Sequence, residues 1–372
     1  MRVLHVSEVS WGGIPSLLRD FTAEQVRRGH RVSLLVPTAL PQRGLDGVHR
    51  LDWAIDRRRA SSLLPAVRQL RAAVRRERPD VVHLHSAFAG FLGRVPLLLG
   101  PTKVPLVYQP HAWSFEIHTR GWVRRLTEAW ERVASRWTDV LVANCTDEVD
   151  QGRRLGITTP SYALGVALDV DRFHPVDDAE SCQWRERVGA GQPQVVLCLG
   201  RLARQKGQDA LVAAWEQAPI PDTELVLVGP GDTAPLQAAA PTQWGTTIKW
   251  VGDQADVRPY LWACDVLVLP SRYETVAVVV AEAMACGRPV VATRVNGVDM
   301  AVADGPAEPG GIVVDAGDVR SLLVETGRLL ADDERRRAVA TAGRRRVVEL
   351  FTPELVVDRL DQAYDRAVEA AR

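Results

Sequence analysis

The sequence predicts an α/β chain of two doubly wound, Rossmann-like domains facing each other across a cleft. Three observations predict it. Short apolar runs alternate with helical patterns twice over, from residue 2 to about 144 and again from about 195 to 330. Between the two series, from Gly165 to Gly191, the periodicity fades and Asp, Pro and Arg dominate. The stretch Asp265–Asn296 (DVLVLPSRYETVAVVVAEAMACGRPVVATRVN) reads strand, loop, helix, turn, strand, which is half of a βαβ unit and requires parallel strands. The expected boundaries are 1–170 for an N-terminal domain and 190–352 for a C-terminal domain. A terminal helix of about 353–372 is expected to return to the first.

The chain opens with a strand, Arg2–Ser7, then a loop carrying Gly12 and Gly13, a helix from about Ser16 to Arg28, and a second strand from Val32 to Val36. Glycines at that point let backbone approach a ligand closely. Residues 57–78 hold eight Arg and one acid, with Leu63, Leu64, Val67, Leu70 and Val74 at near-helical spacing. Two readings stand for this basic helix: a surface helix with one core face, or a face drawn to anionic lipid. Asp80–His85 and Leu106–Gln109 are further strands, a helix follows from about Gly121 to Trp137, and Asp139–Asn144 is the last strand of this half.

His83 and His85 share one strand face, but no nearby Cys or acid completes a metal site, so no metal is expected. His111 follows a strand, where a ligand contact is the better expectation. Asp169-Val170-Asp171 looks like a metal-holding D-x-D but lies in linker-like sequence and reads as incidental. The second series begins with Val195–Leu199, ending in Gly200-Arg201 and Lys206-Gly207. It continues through strands at Glu224–Val228, Thr247–Val251, Val266–Leu269, Val290–Ala292 and Ile312–Val314.

Composition narrows the function. Lys plus Arg and Asp plus Glu both number 46, a balance that argues against a general nucleic-acid binder. Five scattered cysteines without a C-x-x-C suggest a reduced compartment and buried thiols. Arg2–Val6 reads as a strand rather than a leader, and no apolar run approaches the roughly 18 residues a membrane span needs. The expected location is cytoplasmic, with peripheral association at the inner membrane face as a further expectation.

The chemistry centres on Glu274 and Glu282. Eight helical residues span roughly 12 Å, too far for a glycosidase pair acting on one bond. They suit the two ends of one elongated ligand. Thr275 is expected to cap a helix starting at Val276, leaving the N–H groups of Val276, Ala277 and Val278 as an anion cradle. Arg201 and Lys206, on a loop with glycines at both ends, supply fixed cations for a diphosphate. Gly12, Gly13, His111, Arg201, Lys206 and Glu274 all follow expected strands, where ligands bind in open parallel sheets. A nucleotide-sugar matches this row of groups.

These residues resemble the family-four retaining glycosyltransferases of GT-B fold. The resemblance rests on Gly12-Gly13, Gly200-Arg201 with Lys206-Gly207, LVLVGPGD at 225–232, and PSRYETVAVVVAEAMACGRPVVAT at 270–293 with its E-x7-E pair. It implies that Arg201 and Lys206 bind the donor diphosphate and Glu282 the ribose hydroxyls. Glu274 would contact the transferred sugar, Gly13 would pack near the phosphates, and His111 would lie on the sugar and acceptor side. It also implies retention on the front face, without metal, cofactor or protein nucleophile. HLHSAFAGFLGR at 83–94 and YQPHAWSF at 108–115 are similar to the branch that builds capsular and exopolysaccharide units on lipid-linked acceptors. Trp113, Phe115 and Trp122 would suit such an acceptor, and a natural-product aglycone is the alternative. The chain departs from the family at Leu164–Asp169, which lacks the usual Asn-Gly-Val-Asp, and at 275–277, which lacks the usual Gly-Phe. The expected activity is hexosyl transfer from a UDP-sugar. The rivals are a UDP-sugar epimerase and a non-catalytic sugar-nucleotide-binding partner.

Overall fold

A computed structural model describes residues 1–10, 13–40, 44–56, 59–95, 104–117, 120–274, 276–303 and 309–371. The chain divides into two compact units, Met1–Ala167 with Pro353–Arg372, and Leu168–Thr352.

The first unit holds strands β1 (Arg2–Ser7), β2 (Arg31–Val36), β3 (His49–Asp52), β4 (Val81–His85), β5 (Leu106–Gln109), β6 (Val140–Ala143) and β7 (Ser161–Ala163). They form one parallel sheet in the order β3-β2-β1-β4-β5-β6-β7. Its central strands are buried throughout because helices cover both faces. The chain runs outward from β1 in one direction, then crosses back and runs the other way from β4. The point of reversal, between β1 and β4, is where such sheets open a crevice beyond the strand ends. Helix Pro353–Ala371 packs into this unit through Val356, Val357, Leu360 and Tyr364, all fully buried. Arg28 fixes it by donating to Asp358 at 2.6 Å and to the Glu354 carbonyl at 2.7 Å.

The second unit repeats the plan with β8 (Gln194–Leu199), β9 (Thr223–Val228), β10 (Ile248–Gly252), β11 (Val266–Leu269), β12 (Val290–Thr293) and β13 (Ile312–Val314). The order is β10-β9-β8-β11-β12-β13, again parallel, with the reversal between β8 and β11. In both units the series runs outward on one side of its first strand and then on the other, which leaves a crevice beyond the strand ends at its origin.

Strands β3 and β7 were not read from the sequence, and two longer stretches also differ. The region taken as linker contains helix Asp178–Arg187, capped by Asp177 and bound to Trp262 through Ser181. Its side chains show no apolar stripe, because it holds its place by hydrogen bonds to backbone carbonyls such as Arg185 to Ala263. Helix Asp333–Leu350 also escapes a periodicity search, being charged on most of its surface. Four of the five cysteines are buried, and Cys182 is exposed. Among the described residues no helix is long and apolar enough to cross a membrane.

Candidate active site

At the β8/β11 reversal, two loops meet. The loop after β8 ends in a tight turn, Arg204–Lys206, and the loop after β11 carries Ser271 to Glu274. Lys206 Nζ lies 2.7 Å from Glu274 Oε1, and the Ser271 hydroxyl donates to the same oxygen at 2.6 Å. Glu274 is 7% exposed, so its charge depends on these donors rather than on water. Gly207 makes the approach possible. Its φ is +72°, and a Cβ there would fall 2.0 Å from the Pro270 carbonyl oxygen.

The two loops are held to each other at further points. Arg272 forks onto Asp209 at 2.7 and 2.9 Å, and its N–H donates to the Gln205 carbonyl at 2.8 Å. Gln208, buried at the start of helix Gln208–Gln217, donates to the carbonyls of Gly200 and Arg201 at 3.2 and 3.1 Å. Lys206 and Glu274 are thus positioned by backbone that other side chains hold still. Arg201 lies on this same loop and is exposed.

The anion cradle needs correction. Helix Val278–Ala285 begins two residues later than expected, with Ala277 outside it at φ −84°, ψ 72°. Val278 N–H donates to the Val276 carbonyl at 3.0 Å, so it is already spent. The segment 276–277 instead packs against Gly297, where a Cβ would stand 3.2 Å from Val276 Cα. Glu282 lies half-buried, one turn into this helix. Thr275, the expected cap, lies outside the described residues, as does Gly12.

In the first unit, Gly13 opens helix Gly13–Arg27, and a Cβ there would meet nothing within 4 Å. His111 follows β5 and is buried, with φ +51°; Ala112 follows at +109°. Ser86, at the end of β4, has φ +73°. Left-handed backbone at non-glycine residues is costly, and here it clusters beyond two adjacent strand ends. Buried carboxylates hold it. Glu148 accepts the N–H groups of Ala112 and Asn144 at 2.8 and 2.7 Å, and burial pushes its pKa up to about 7. Glu8 accepts the Ser86 hydroxyl at 2.6 Å and the Ala89 N–H at 3.1 Å.

His111 is the end of a buried row that the sequence reading did not find. Its Nε2 lies 2.9 Å from His85 Nδ1, His85 Nε2 lies 2.9 Å from His5 Nδ1, and His5 Nε2 lies 2.9 Å from Gln25 Oε1. Gln25 Nε2 donates to the Tyr364 hydroxyl at 3.3 Å, and that hydroxyl lies 2.9 Å from His83 Nδ1. With the Gln25 oxygen facing His5, one direction satisfies every link. Each imidazole then carries its proton on Nε2, which among the described residues leaves His111 Nδ1 as an acceptor and His83 Nε2 as a donor without a hydrogen-bond partner. Burial lowers the pKa of all four imidazoles, to about 4 for His5 and about 3 for His111. Neutral rings are what the row requires. Ring nitrogens of His5, His83 and His85 converge within 4.8 Å, but both nitrogens of His5 and His85 are engaged in this row. The strand register supplied the one available signal, since His5 pairs with His83 across β1 and β4.

The residues expected at an acceptor divide. Trp113 and Phe115 are core residues, at 0% and 4% exposure, because the Trp113 indole donates inward to the Glu148 carbonyl. Trp122 is exposed. In the basic helix, which spans Leu63–Glu77, Val67, Leu70 and Val74 are buried in the core, Arg68, Arg75 and Arg76 are exposed with Arg71 half-buried, and Leu64, expected on the apolar face, is exposed. Residues 57 and 58 lie outside the described residues.

The family model described as "Glycosyl transferases group 1" matches residues 193–332, and "Glycosyl transferase 4-like domain" matches 12–163. The chain is 32% identical over 356 residues to the GDP-mannose-dependent alpha-(1-6)-phosphatidylinositol monomannoside mannosyltransferase of Mycolicibacterium smegmatis, covering 90% of this chain and 89% of that protein. Its fold is similar to sucrose-phosphate synthase from Thermosynechococcus elongatus, at TM-score 0.82 and 23% identity over 98% of each chain. It is also similar to HepE of Anabaena, solved with UDP and glucose, at TM-score 0.81 and 21% identity over 97% of this chain and 98% of that one.

Proposed function

Because the chain belongs to the group 1 glycosyltransferases, with a GT-B fold, we propose that it transfers a hexose with retention from a nucleotide-sugar to an acceptor hydroxyl. The observation that carries the reading is the Lys206–Glu274 pair, held at the β8/β11 reversal where a parallel sheet binds ligand.

In this reading the second unit holds the donor. Lys206 and Arg201 meet the diphosphate, Glu282 the ribose hydroxyls and Glu274 the sugar. Lys206 exchanges its carboxylate partner for phosphate oxygen when donor binds. The bond between the anomeric carbon and the phosphate oxygen breaks, and the departing charge settles on fixed cations, so that no metal is required. The acceptor oxygen bonds to the same face of that carbon, and its proton passes to the leaving phosphate. Gly13 gives the phosphates close backbone approach. His111, its Nδ1 bare, accepts a hydroxyl proton of sugar or acceptor in a hydrogen bond.

The donor's base is the finer choice. UDP-sugars are the reading from the sequence; the mannosyltransferase relative puts GDP-mannose beside them. That relative's name also favours a lipid-linked acceptor over an aglycone. Calorimetry against a panel of UDP- and GDP-sugars tests the reading. One donor should bind with affinity that Lys206→Ala abolishes, and folded protein that binds none refutes it. Donor binding with neither transfer nor hydrolysis would mark a non-catalytic partner. Exchange of ring protons without an acceptor would mark an epimerase.

A further inference from the structure

Helix Gly121–Ala134 turns one face inward and leaves another bare. On the inner face Glu131 pairs with Arg94 at 2.8 Å, both side chains 1% exposed, and Ala134 is fully buried. That pair sets the helix's rotation, since an unpaired charge at such depth would be costly. The outer face then carries Trp122, Leu126, Ala129 and Val133, spaced by four, three and four residues, which is one helical stripe. Trp122 is 64% exposed, Leu126 61% and Val133 42%, and Trp137 continues the line at 39%.

Arginines edge this stripe. At 100° per residue, Arg125, Arg132 and Arg136 fall along one flank, and all are exposed. The Arg132 guanidinium donates to the Leu155 carbonyl at 2.7 Å, bringing the exposed Arg153 and Arg154 alongside. The acids close by are engaged: Glu128 lies 3.0 Å from Arg124, and Glu131 is buried.

We infer that this face seats the chain on an anionic lipid bilayer. Tryptophans near both ends sit at headgroup depth, Leu126 and Val133 reach the acyl boundary, and the arginine flank meets lipid phosphates. A second copy of the chain fits less well, because a twofold contact through this stripe would set its arginine flank near like charge. Helix Leu63–Glu77 offers a lipid surface its arginines and one exposed apolar side chain, Leu64, most of its apolar side being spent in the core. The inference deepens the lipid-linked part of the proposed function and rests on it for its purpose.

Sedimentation with vesicles tests it. The full chain is mixed with phosphatidylcholine vesicles, with and without phosphatidylglycerol. It should pellet with the anionic vesicles and be released by salt. Leu126→Glu with Val133→Glu, and separately Arg125→Glu with Arg132→Glu, should each weaken binding by about tenfold or more. These positions are exposed, and unchanged thermal melts verify that both variants fold. Failure to pellet, or pelleting that either folded variant retains in full, overturns the inference. So does a concentration-dependent doubling of mass in light scattering that the Leu126→Glu variant abolishes. Donor calorimetry on the same samples keeps the two readings apart: lost vesicle binding with intact donor binding sinks only the membrane face, and the reverse sinks only the transferase.

Discussion

The ammonium of Lys206 and the carboxylate of Glu274, 68 residues apart in sequence, share a hydrogen bond of 2.7 Å at the carboxyl ends of neighbouring strands. Each neutralises the other in the absence of donor. Lys206→Ala therefore does two things. On the proposed reading it removes a diphosphate contact, expected to lower turnover about 10²–10³-fold. It also leaves Glu274, a buried carboxylate, with Ser271 and without its cation, which should lower stability. Steady-state donor hydrolysis and thermal melts check both, with wild-type turnover excluding the assigned role.

Gly207→Ala should separate loop position from loop chemistry. Left-handed backbone costs an alanine about 1 kcal/mol, and the 2.0 Å approach to the Pro270 oxygen adds to that. A loss of about 3 kcal/mol or more in urea unfolding is expected, with donor affinity falling although no charge has changed. Unchanged stability would mean that the turn does not press on Pro270.

The histidine row predicts tautomers. Nitrogen-15 spectra at pH 7 should show His5, His83, His85 and His111 all protonated at Nε2. Tyr364→Phe removes the group that orients Gln25, so the row should lose its single direction and show mixed tautomers. It also leaves Gln25 Nε2 and His83 Nδ1 buried without their partner, at a cost of about 1–3 kcal/mol. An Nδ1–H signal on His111 in the wild type would reverse the row and remove His111 as an acceptor.

Stability should fall as pH drops below about 6.5. Buried imidazoles held neutral have folded pKa values below their unfolded ones, so the unfolded state binds more protons on acidification. For His5, whose pKa is lowered to about 4, the loss is on the order of 3 kcal/mol by pH 4. Glu148 acts oppositely. Its pKa is raised to about 7, so stability from this group grows as pH falls from 7 toward 4.5, offsetting roughly one imidazole. With four imidazoles lowered, the histidines prevail. Thermal melts from pH 4 to 8 check the sign; Tm rising steadily on acidification would contradict it.

Most strands of both units were legible because each is a short apolar run that two faces of helices must cover; β3 (HRLD) and β7 (SYA) were not, since neither is an apolar run. Lys206 and Glu274 were legible because loops after such strands have one place to go. The start of helix Val278–Ala285 was not. Val276 and Ala277 look helical in sequence, but their turn is set by packing on Gly297, a contact 20 residues away. Helix Asp178–Arg187 was missed because hydrogen bonds to carbonyls leave no periodic trace. The row from His111 to His83 needs β1, β4, β5 and two helices to be assembled before its members meet, and no local spacing encodes that. The pairing of Trp122 with Trp113 as acceptor residues failed for a related reason. Aromatic type does not say which side faces the core.

The helix that carries Tyr364 has a consequence for how the chain is made. Met1–Ala167 leaves the ribosome before Leu168–Thr352, yet the hydroxyl that bonds Gln25 and His83 leaves only after all of Leu168–Thr352. The earlier-born half must wait through synthesis of the later one with the groove for Pro353–Ala371 unfilled. A stop codon near residue 352 would spare the younger half and leave the older one unfinished.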